Sequence, residues 1–154
     1  LNSKAPEFIL ESTTGQKVRL EDLHGAYVVL IFYPANETPG CNRQLAEMNV
    51  NLDEFLTANT RVFGVNTANI EKHKGYCERR RLQFPILSDP GCKVAKKYGA
   101  YLRWLPIVIR RTVVAIDPDG SVCFYQYGKP EPDQVLAAIR EHAKQRGSAS
   151  PSSS

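Results

Sequence analysis

The chain has 154 residues, of which 42% are hydrophobic and 23% are charged, and its net charge is +4. This length and composition are typical of one globular domain with a single core, and they exclude a fibrous or wholly disordered chain. The positive charge is small and scattered apart from one basic run, residues 79–81, which argues against a nucleic-acid partner. No apolar run approaches the roughly 20 residues of a membrane-spanning helix, so we expect no membrane association.

The predicted elements alternate between strands and helices. Residues 26–33, AYVVLIFY, are a near-continuous run of β-branched and aromatic residues, which is typical of a central strand buried on both faces. Apolar residues spaced by three and four then predict one amphipathic helix that reaches about Thr57. A strand, a helix, a strand and a short helix are predicted next, at RVFGVN, ANIEKHKGYCERRRL, FPILSD and CKVAKKYGA.

The last third of the chain predicts a hairpin and a closing helix. Residues 111–128 form two strand-like runs around the turn sequence Asp-Pro-Asp-Gly, and residues 131–145 have the apolar spacing of an amphipathic helix. The whole pattern predicts an α/β domain over residues 1–146, with a central mixed β-sheet and helices on both faces. Residues 147–154 are rich in serine and poor in apolar surface, so we expect a disordered tail.

A cysteine follows the first long strand, at the predicted start of a helix. Thr38, Pro39, Gly40 and Cys41 can occupy the N-cap and the first three helical positions, since Thr is a good cap and Pro suits the first turn. Unpaired amides and the positive end of the helix dipole would then stabilise a Cys41 thiolate. Free cysteines are also often small buried hydrophobes. Pro34, which can shield the sulfur from water, and the Thr38 hydroxyl favour the reactive role.

These three residues carry a resemblance to a known family. Pro34, Thr38 and Cys41 reproduce the P-x-x-x-T-x-x-C signature of peroxiredoxins. The longer sequence FYPANETPGC resembles the bacterioferritin comigratory protein, or peroxiredoxin Q, subfamily. The likeness runs from about residue 5 to residue 144 and includes APEFIL, LSDPGCKVAKKYGAY and RTVVAIDPDG.

The resemblance implies a thioredoxin-like fold and a thiol-dependent peroxidase. Cys41 would be the peroxidatic cysteine that reduces hydrogen peroxide and organic hydroperoxides, with no metal, haem or flavin. The subfamily's active-site arginine precedes the Asp of the late hairpin by six residues, which matches Arg111 rather than Arg110. Neighbouring residues on a strand face opposite ways, so only one of the two can point at Cys41. The alternative for Arg111 is an ordinary strand-end charge in solvent.

A second, resolving cysteine is less clear from the sequence. Many subfamily members carry it five residues after the first, where this chain has Ala46. Cys77, 36 residues after Cys41, falls where other members place theirs, and nearby Lys74, Arg79 and Arg80 would favour its thiolate. Cys77 can instead be a core residue, in which case an external thiol would complete the cycle. Packing roles are expected for Cys92 and Cys123, and surface positions for His24, His73 and His142.

The resemblance also suggests partners and a setting. Thioredoxin or a similar thiol reductant would recycle the enzyme, which we expect to be a monomer. We expect a bacterial cytoplasmic location, or an organelle lumen if a leader has been removed. The rival function on the same fold is a non-catalytic redox sensor or holdase, which steady peroxide consumption in the presence of reductant would exclude.

Overall fold

The chain alternates strands and helices as the sequence predicts, and the computed structural model describes residues 3–149. The strands are β1 Ile9–Ser12, β2 Lys17–Arg19, β3 Tyr27–Phe32, β4 Thr60–Asn66, β5 Ile86–Ser88, β6 Tyr101–Leu102, β7 Leu105–Ile109, β8 Thr112–Ile116 and β9 Val122–Tyr127. The helices are α1 Pro39–Val50, α2 Leu52–Thr57, α3 Ile70–Arg80, α4 Lys93–Lys97 and α5 Pro132–Ala149, with short 3-10 helices at Leu20–Leu23 and Pro90–Cys92.

Seven of the strands form one mixed sheet in the order β2-β1-β5-β4-β3-β8-β9. Strands β3, β4 and β5 are parallel, and the other neighbours in this sheet are antiparallel. The predicted central mixed sheet is therefore confirmed. The separate pair β6-β7, which the sequence analysis did not predict, is antiparallel and exposes Trp104, Leu105 and Ile107.

The central strand β3 supplies both hydrophobic cores. All six of its residues are buried, and they alternate between a core on one face of the sheet and a core on the other. One core contains side chains of α4, and the opposite core contains side chains of α1, α2, α3 and α5. The predicted helices on both faces are therefore confirmed, and the strand's continuous apolar sequence has its physical reason.

Two predicted boundaries differ from the structure. The single helix predicted to Thr57 is wrong, because Asn51 leaves the helical conformation (φ −96°, ψ 8°) and divides it into α1 and α2. The Asn51 side chain also donates to the carbonyl of Glu47 at 2.8 Å, which competes with helical hydrogen bonding. Helix α5 includes residues 147–149 of the predicted tail, and residues 150–154 lie outside the described part of the chain. Within that part, no helix is both long and apolar enough to cross a membrane.

The topology brings three chain segments to one edge of the sheet. The carboxyl ends of the parallel strands β3 and β4 lie there, so the connections to α1 and α3 start side by side. Strand β8 runs antiparallel to β3 with Thr112 opposite Phe32, so β8 begins where β3 ends. Residues just after β3 and just before β8 therefore meet at this edge.

A buried polar network ties α3 to these strand ends. His73, which the sequence analysis expected at the surface, is fully buried. Its Nδ1 lies 3.2 Å from Asn36 Nδ2, and Asn36 Oδ1 accepts from the Tyr33 hydroxyl at 2.7 Å. His73 Nε2 lies 3.3 Å from the Asn66 carbonyl, so the Nε2–H tautomer satisfies both contacts. The expected surface position of His73 was wrong, because the spacing of residues in the sequence does not reveal the buried hydrogen-bond partners, Asn36 and Asn66, that the fold provides.

The buried His73 predicts a loss of stability in acid. Burial lowers the pKa of this imidazole from its ordinary 6.5, although the bond to Asn66 opposes the shift. Between the folded-state pKa and about pH 6.5, His73 is therefore protonated in the unfolded chain and neutral in the folded protein. Stabilisation is complete above about pH 6.5 and declines by up to about 1.4 kcal/mol per pH unit below it, until the folded-state pKa is reached. Urea unfolding of the reduced protein between pH 7.5 and 5 measures this slope.

The matched variants for that measurement are His73→Gln and His24→Gln. His24 is exposed, so its loss should leave the slope as in the wild type, whereas His73→Gln should flatten it. An equal slope in wild type and His73→Gln would contradict the assignment.

Candidate active site

Cys41 occupies the third position of α1, inside the first turn. Thr38 is the N-cap residue and Pro39 begins the helix, as the sequence predicts. The Cys41 side chain is fully buried, among the core residues beneath α1. Since the first-turn amides have no partner within the helix, the sulfur lies at the end where a helix favours negative charge.

An arginine makes the closest polar contact with this sulfur. Arg111, directly before β8, donates from Nη1 to Cys41 Sγ at 3.2 Å. The same nitrogen donates to Gln44 Oε1 at 3.1 Å, so the glutamine holds the guanidinium in place over the thiol. A guanidinium stays charged at physiological pH and presents several donors, so it can stabilise the thiolate and still reach a second anionic atom.

The neighbouring arginine points elsewhere. Arg110 is exposed, and its guanidinium stacks on the Tyr127 ring at 3.6 Å from the centroid. The structure thus brings Arg111, and not Arg110, to Cys41. This is the alternation expected of adjacent residues entering a strand.

A glycine beside Cys41 makes room for positive charge. A Cβ on Gly40 would lie 3.3 Å from Arg111 Nη2 and 3.5 Å from Lys129 Nζ. The missing side chain therefore lets two cations approach the first turn of α1. Lys129 follows β9 and has no recognisable spacing to Cys41, so its position here was not predicted from the sequence.

Thr38 and Pro34 lie in the connection between β3 and α1, and both are half-buried. Thr38 holds the N-cap position, but its hydroxyl donates to the Ala35 carbonyl at 3.4 Å and makes no capping bond. The expected side-chain cap is therefore absent, because the hydroxyl is turned back toward its own loop. The backbone of Thr38 closes the turn instead, since its carbonyl accepts from the Asn42 amide at 2.8 Å.

Cys77 lies on α3, is half-buried, and forms no disulfide with Cys41 in this structure. Its nearest polar partner is the Thr13 hydroxyl, 4.0 Å from the sulfur. Burial raises the pKa of the Cys77 thiol, and the contact with Thr13 only partly offsets this. In the folded conformation Cys77 is therefore a poor nucleophile.

Two of the three cationic side chains expected to activate Cys77 are engaged elsewhere. Arg79 Nε donates to Glu37 Oε2 at 2.7 Å, and Arg80 Nη2 donates to Glu37 Oε1 at 2.9 Å. Both arginines hold the pKa of the Glu37 carboxyl below its ordinary value through these hydrogen bonds. The expectation that basic neighbours favour a Cys77 thiolate is thus wrong for the folded state, where burial outweighs them.

The remaining cysteines have structural surroundings. Cys92 is fully buried before α4, and Cys123 is half-buried on β9. Burial raises the pKa of both thiols, to about 11 for Cys123. Within residues 3–149, no group of three or more His, Cys, Asp or Glu side chains is placed to hold a metal ion.

Two further side chains near Cys41 were missed by the sequence analysis. Gln44 is buried, three residues after Cys41, and its Nε2 has no hydrogen-bond partner among the described residues. Its spacing from Cys41 on one helix face is the signal that could have identified it. Tyr76, fully buried on α3, donates from its hydroxyl to Asn42 Oδ1 at 2.6 Å.

Comparison with known proteins shows which family the chain belongs to. Residues 1–124 match the AhpC/TSA family. A Mycobacterium tuberculosis protein named as a peroxiredoxin is 38% identical over 144 residues, which cover 90% of this chain and 91% of that protein. Chloroplastic peroxiredoxin Q of Sedum lineare is 32% identical over 134 residues, covering 87% of this chain and 72% of the relative.

A solved structure also resembles this chain and carries a name from the same group of proteins. The bacterioferritin comigratory protein of Xanthomonas campestris, solved in a study of its alkyl peroxide reduction, superposes with a TM-score of 0.80 at 25% identity. The match covers 88% of this chain and 92% of that chain. The thioredoxin-like fold and the subfamily resemblance are therefore confirmed. This chain belongs to the AhpC/TSA family and is a thiol-dependent peroxidase of the bacterioferritin comigratory protein and peroxiredoxin Q subfamily.

Proposed function

We propose that this peroxidase uses Cys41 as the peroxidatic cysteine and Cys77 as the resolving cysteine, with thioredoxin or a similar dithiol as reductant. The observation that carries the proposal is the 3.2 Å contact between Arg111 Nη1 and the buried Cys41 sulfur at a helix N-terminus. A thiol in this setting has fixed donors beside it and little water around it, which favours an activated nucleophile.

The first step transfers one oxygen from the peroxide to sulfur. The Cys41 thiolate supplies an electron pair to one peroxide oxygen, so an S–O bond forms while the O–O bond breaks. The other oxygen leaves with negative charge, takes up a proton, and departs as water or an alcohol. Arg111 and the Cys41 amide are the donors proposed to stabilise the developing charge, and Pro34 limits access of water. The Thr38 hydroxyl is proposed as a third donor, which requires it to rotate away from the Ala35 carbonyl.

Both hydrogen peroxide and organic hydroperoxides are proposed substrates. The reacting unit is the O–O bond alone, which both classes share. The alkyl peroxide reduction described for the Xanthomonas campestris relative supports the second class.

The second step forms a disulfide within one chain. Cys77 sulfur attacks Cys41 sulfur, the S–S bond forms as the S–O bond breaks, and the oxygen leaves as water. Cys41 and Tyr33 belong to one hydrophobic core, and Cys77 packs against the same core. Bond formation needs Cα atoms within roughly 7 Å, and the cysteines belong to different helices, so we propose that local unfolding precedes it. Exposure to water also removes the burial that raises the pKa of the Cys77 thiol.

The cycle closes when a dithiol reduces the disulfide to two thiols and is itself oxidised. We propose thioredoxin for this role and a monomeric, cytoplasmic bacterial enzyme. An external thiol acting directly on the Cys41 sulfenic acid is the alternative that the Cys77 experiment below distinguishes.

The Arg111→Lys variant should lose most of its peroxidase activity. Lysine keeps the charge but loses the planar set of donors that can hold sulfur and peroxide oxygen together, so we expect kcat/KM to fall by about 10²-fold or more. Stopped-flow measurement of peroxide consumption tests this. Arg110→Lys is the matched control and should remain near wild type. If Arg110→Lys is the more damaging change, Arg111 does not have the proposed role.

The Cys77→Ser variant should lose thioredoxin-coupled turnover while it still consumes about one equivalent of peroxide. Its Cys41 sulfenic acid has no partner, whereas the Cys123→Ser control should behave as wild type. Peptide mass spectrometry without reduction, after one equivalent of peroxide, should show a Cys41–Cys77 link in the wild type. Full turnover of Cys77→Ser, or a link from Cys41 to Cys92 or Cys123, would exclude Cys77.

Oxidation should loosen both cysteine segments. We expect faster amide hydrogen exchange in residues 38–44 and 73–80 of the disulfide form than of the reduced form, because these segments must leave their helical positions. Exchange read by mass spectrometry measures it, with β3 as the internal reference. Equal protection of both segments in the two forms would contradict local unfolding.

A further inference from the structure

Side chains near Cys41 form hydrogen bonds directly with side chains near Cys77. Four contacts join them, which we call the α1–α3 seam: Asn36 to His73, Glu37 to Arg79, Glu37 to Arg80, and Asn42 to Tyr76. Their lengths are 3.2, 2.7, 2.9 and 2.6 Å, respectively. On one side the contacts begin within five residues of Cys41, and on the other they end within four residues of Cys77.

The seam opposes the movement that the disulfide requires. Cys41 is fully buried in a first turn whose flanks are held at Glu37 and Asn42. Cys77 lies on a helix held by His73, Tyr76 and Arg79. Neither segment can leave its position without breaking these bonds, and freeing one segment also removes the partners of the other.

We propose that the α1–α3 seam controls the rate of the resolving step, so that its residues are positioning residues for disulfide formation. In the reduced enzyme the seam holds Cys41 in its peroxide-reactive conformation. After oxidation the seam must open before Cys77 can attack. The inference rests on the proposed resolving role of Cys77.

The seam also affects the competition between disulfide formation and further oxidation of the Cys41 sulfenic acid. While it stays closed, the Cys41 sulfenic acid remains beside Arg111 and can meet a second hydroperoxide. A new S–O bond then forms as the second O–O bond breaks, and the products are a sulfinic acid and water or an alcohol. A weaker seam therefore shortens the life of the sulfenic acid and raises the peroxide concentration that inactivates the enzyme.

Tyr76 offers the cleanest test. Its ring is fully buried, and burial raises the pKa of its hydroxyl to about 12, so the hydroxyl remains a donor at neutral pH. Tyr76→Phe removes only that donor and preserves the packing. Asn42 is half-exposed, so its oxygen can accept from water once the contact is lost.

The experiment is a single turnover of the full-length reduced protein with hydrogen peroxide, quenched by acid and read by mass spectrometry. Tyr76→Phe should form the Cys41–Cys77 disulfide about three- to tenfold faster, the effect of one hydrogen bond on the opening equilibrium. The rate of Cys41 oxidation should not change. The hydrogen peroxide concentration that converts half of the enzyme to sulfinic acid should rise by a similar factor.

Matched variants separate the seam from general destabilisation. Tyr98→Phe removes a hydroxyl that donates to the Pro6 carbonyl at 2.7 Å in the opposite core, and it should leave the disulfide rate unchanged. Glu37→Gln weakens a surface member of the seam without disturbing the core and should also speed the disulfide. Its control is Asp119→Asn, which weakens the equally short 2.7 Å contact between Arg146 and Asp119, remote from the seam.

The outcomes are distinguishable. Faster disulfide formation in Tyr76→Phe and Glu37→Gln, but not in the two controls, supports the inference. If the wild type forms the Cys41–Cys77 disulfide and both seam variants form it at the wild-type rate, the inference is overturned and the resolving role of Cys77 stands. Absence of any Cys41–Cys77 disulfide in the wild type overturns the resolving role and the inference with it.

Discussion

The contact between the Arg111 guanidinium and the Cys41 sulfur is the interaction on which the rest of the site depends. Cys41 belongs to the helix after β3, and Arg111 is the residue directly before β8, 70 positions later in the chain. Only the antiparallel pairing of β3 with β8 brings them together, because it aligns the end of one strand with the start of the other. The continuous apolar sequence of β3 therefore serves both cores and the catalytic geometry.

The folded conformation provides different surroundings for the two cysteines, Cys41 and Cys77. The Arg111 guanidinium beside the Cys41 sulfur and the unpaired amides of the first helical turn form a setting that suits negative charge. Cys77 is disadvantaged in this conformation, because burial raises the pKa of its thiol and two of its basic neighbours, Arg79 and Arg80, are paired with Glu37. Under the proposed mechanism, this peroxidase alternates between a closed conformation for oxidation and an open one for resolution.

The polar groups between α1 and α3 show how such an alternation can be tuned. They are hydrogen-bonded in the closed form, and each can find water once the segments separate, so the free energy difference stays small. An apolar contact of the same size would be harder to open, because separation would expose it to water without any compensating bond. Hydrogen bonds and ion pairs at this position suit the opening that the proposed resolving step requires.

The sequence by itself determined the α/β class, the central strand, the position of Cys41 in a first helical turn, and the family signature of Pro34, Thr38 and Cys41. These features depend on local periodicity, capping and spacing, which neighbouring residues encode. The tertiary structure alone decided that His73 is buried, that Arg79 and Arg80 bind Glu37, and that Gln44 and Lys129 lie at the site. Each of those outcomes depends on partners far apart in the chain, and whether a polar side chain lies in water or meets a partner inside the fold is settled only by packing.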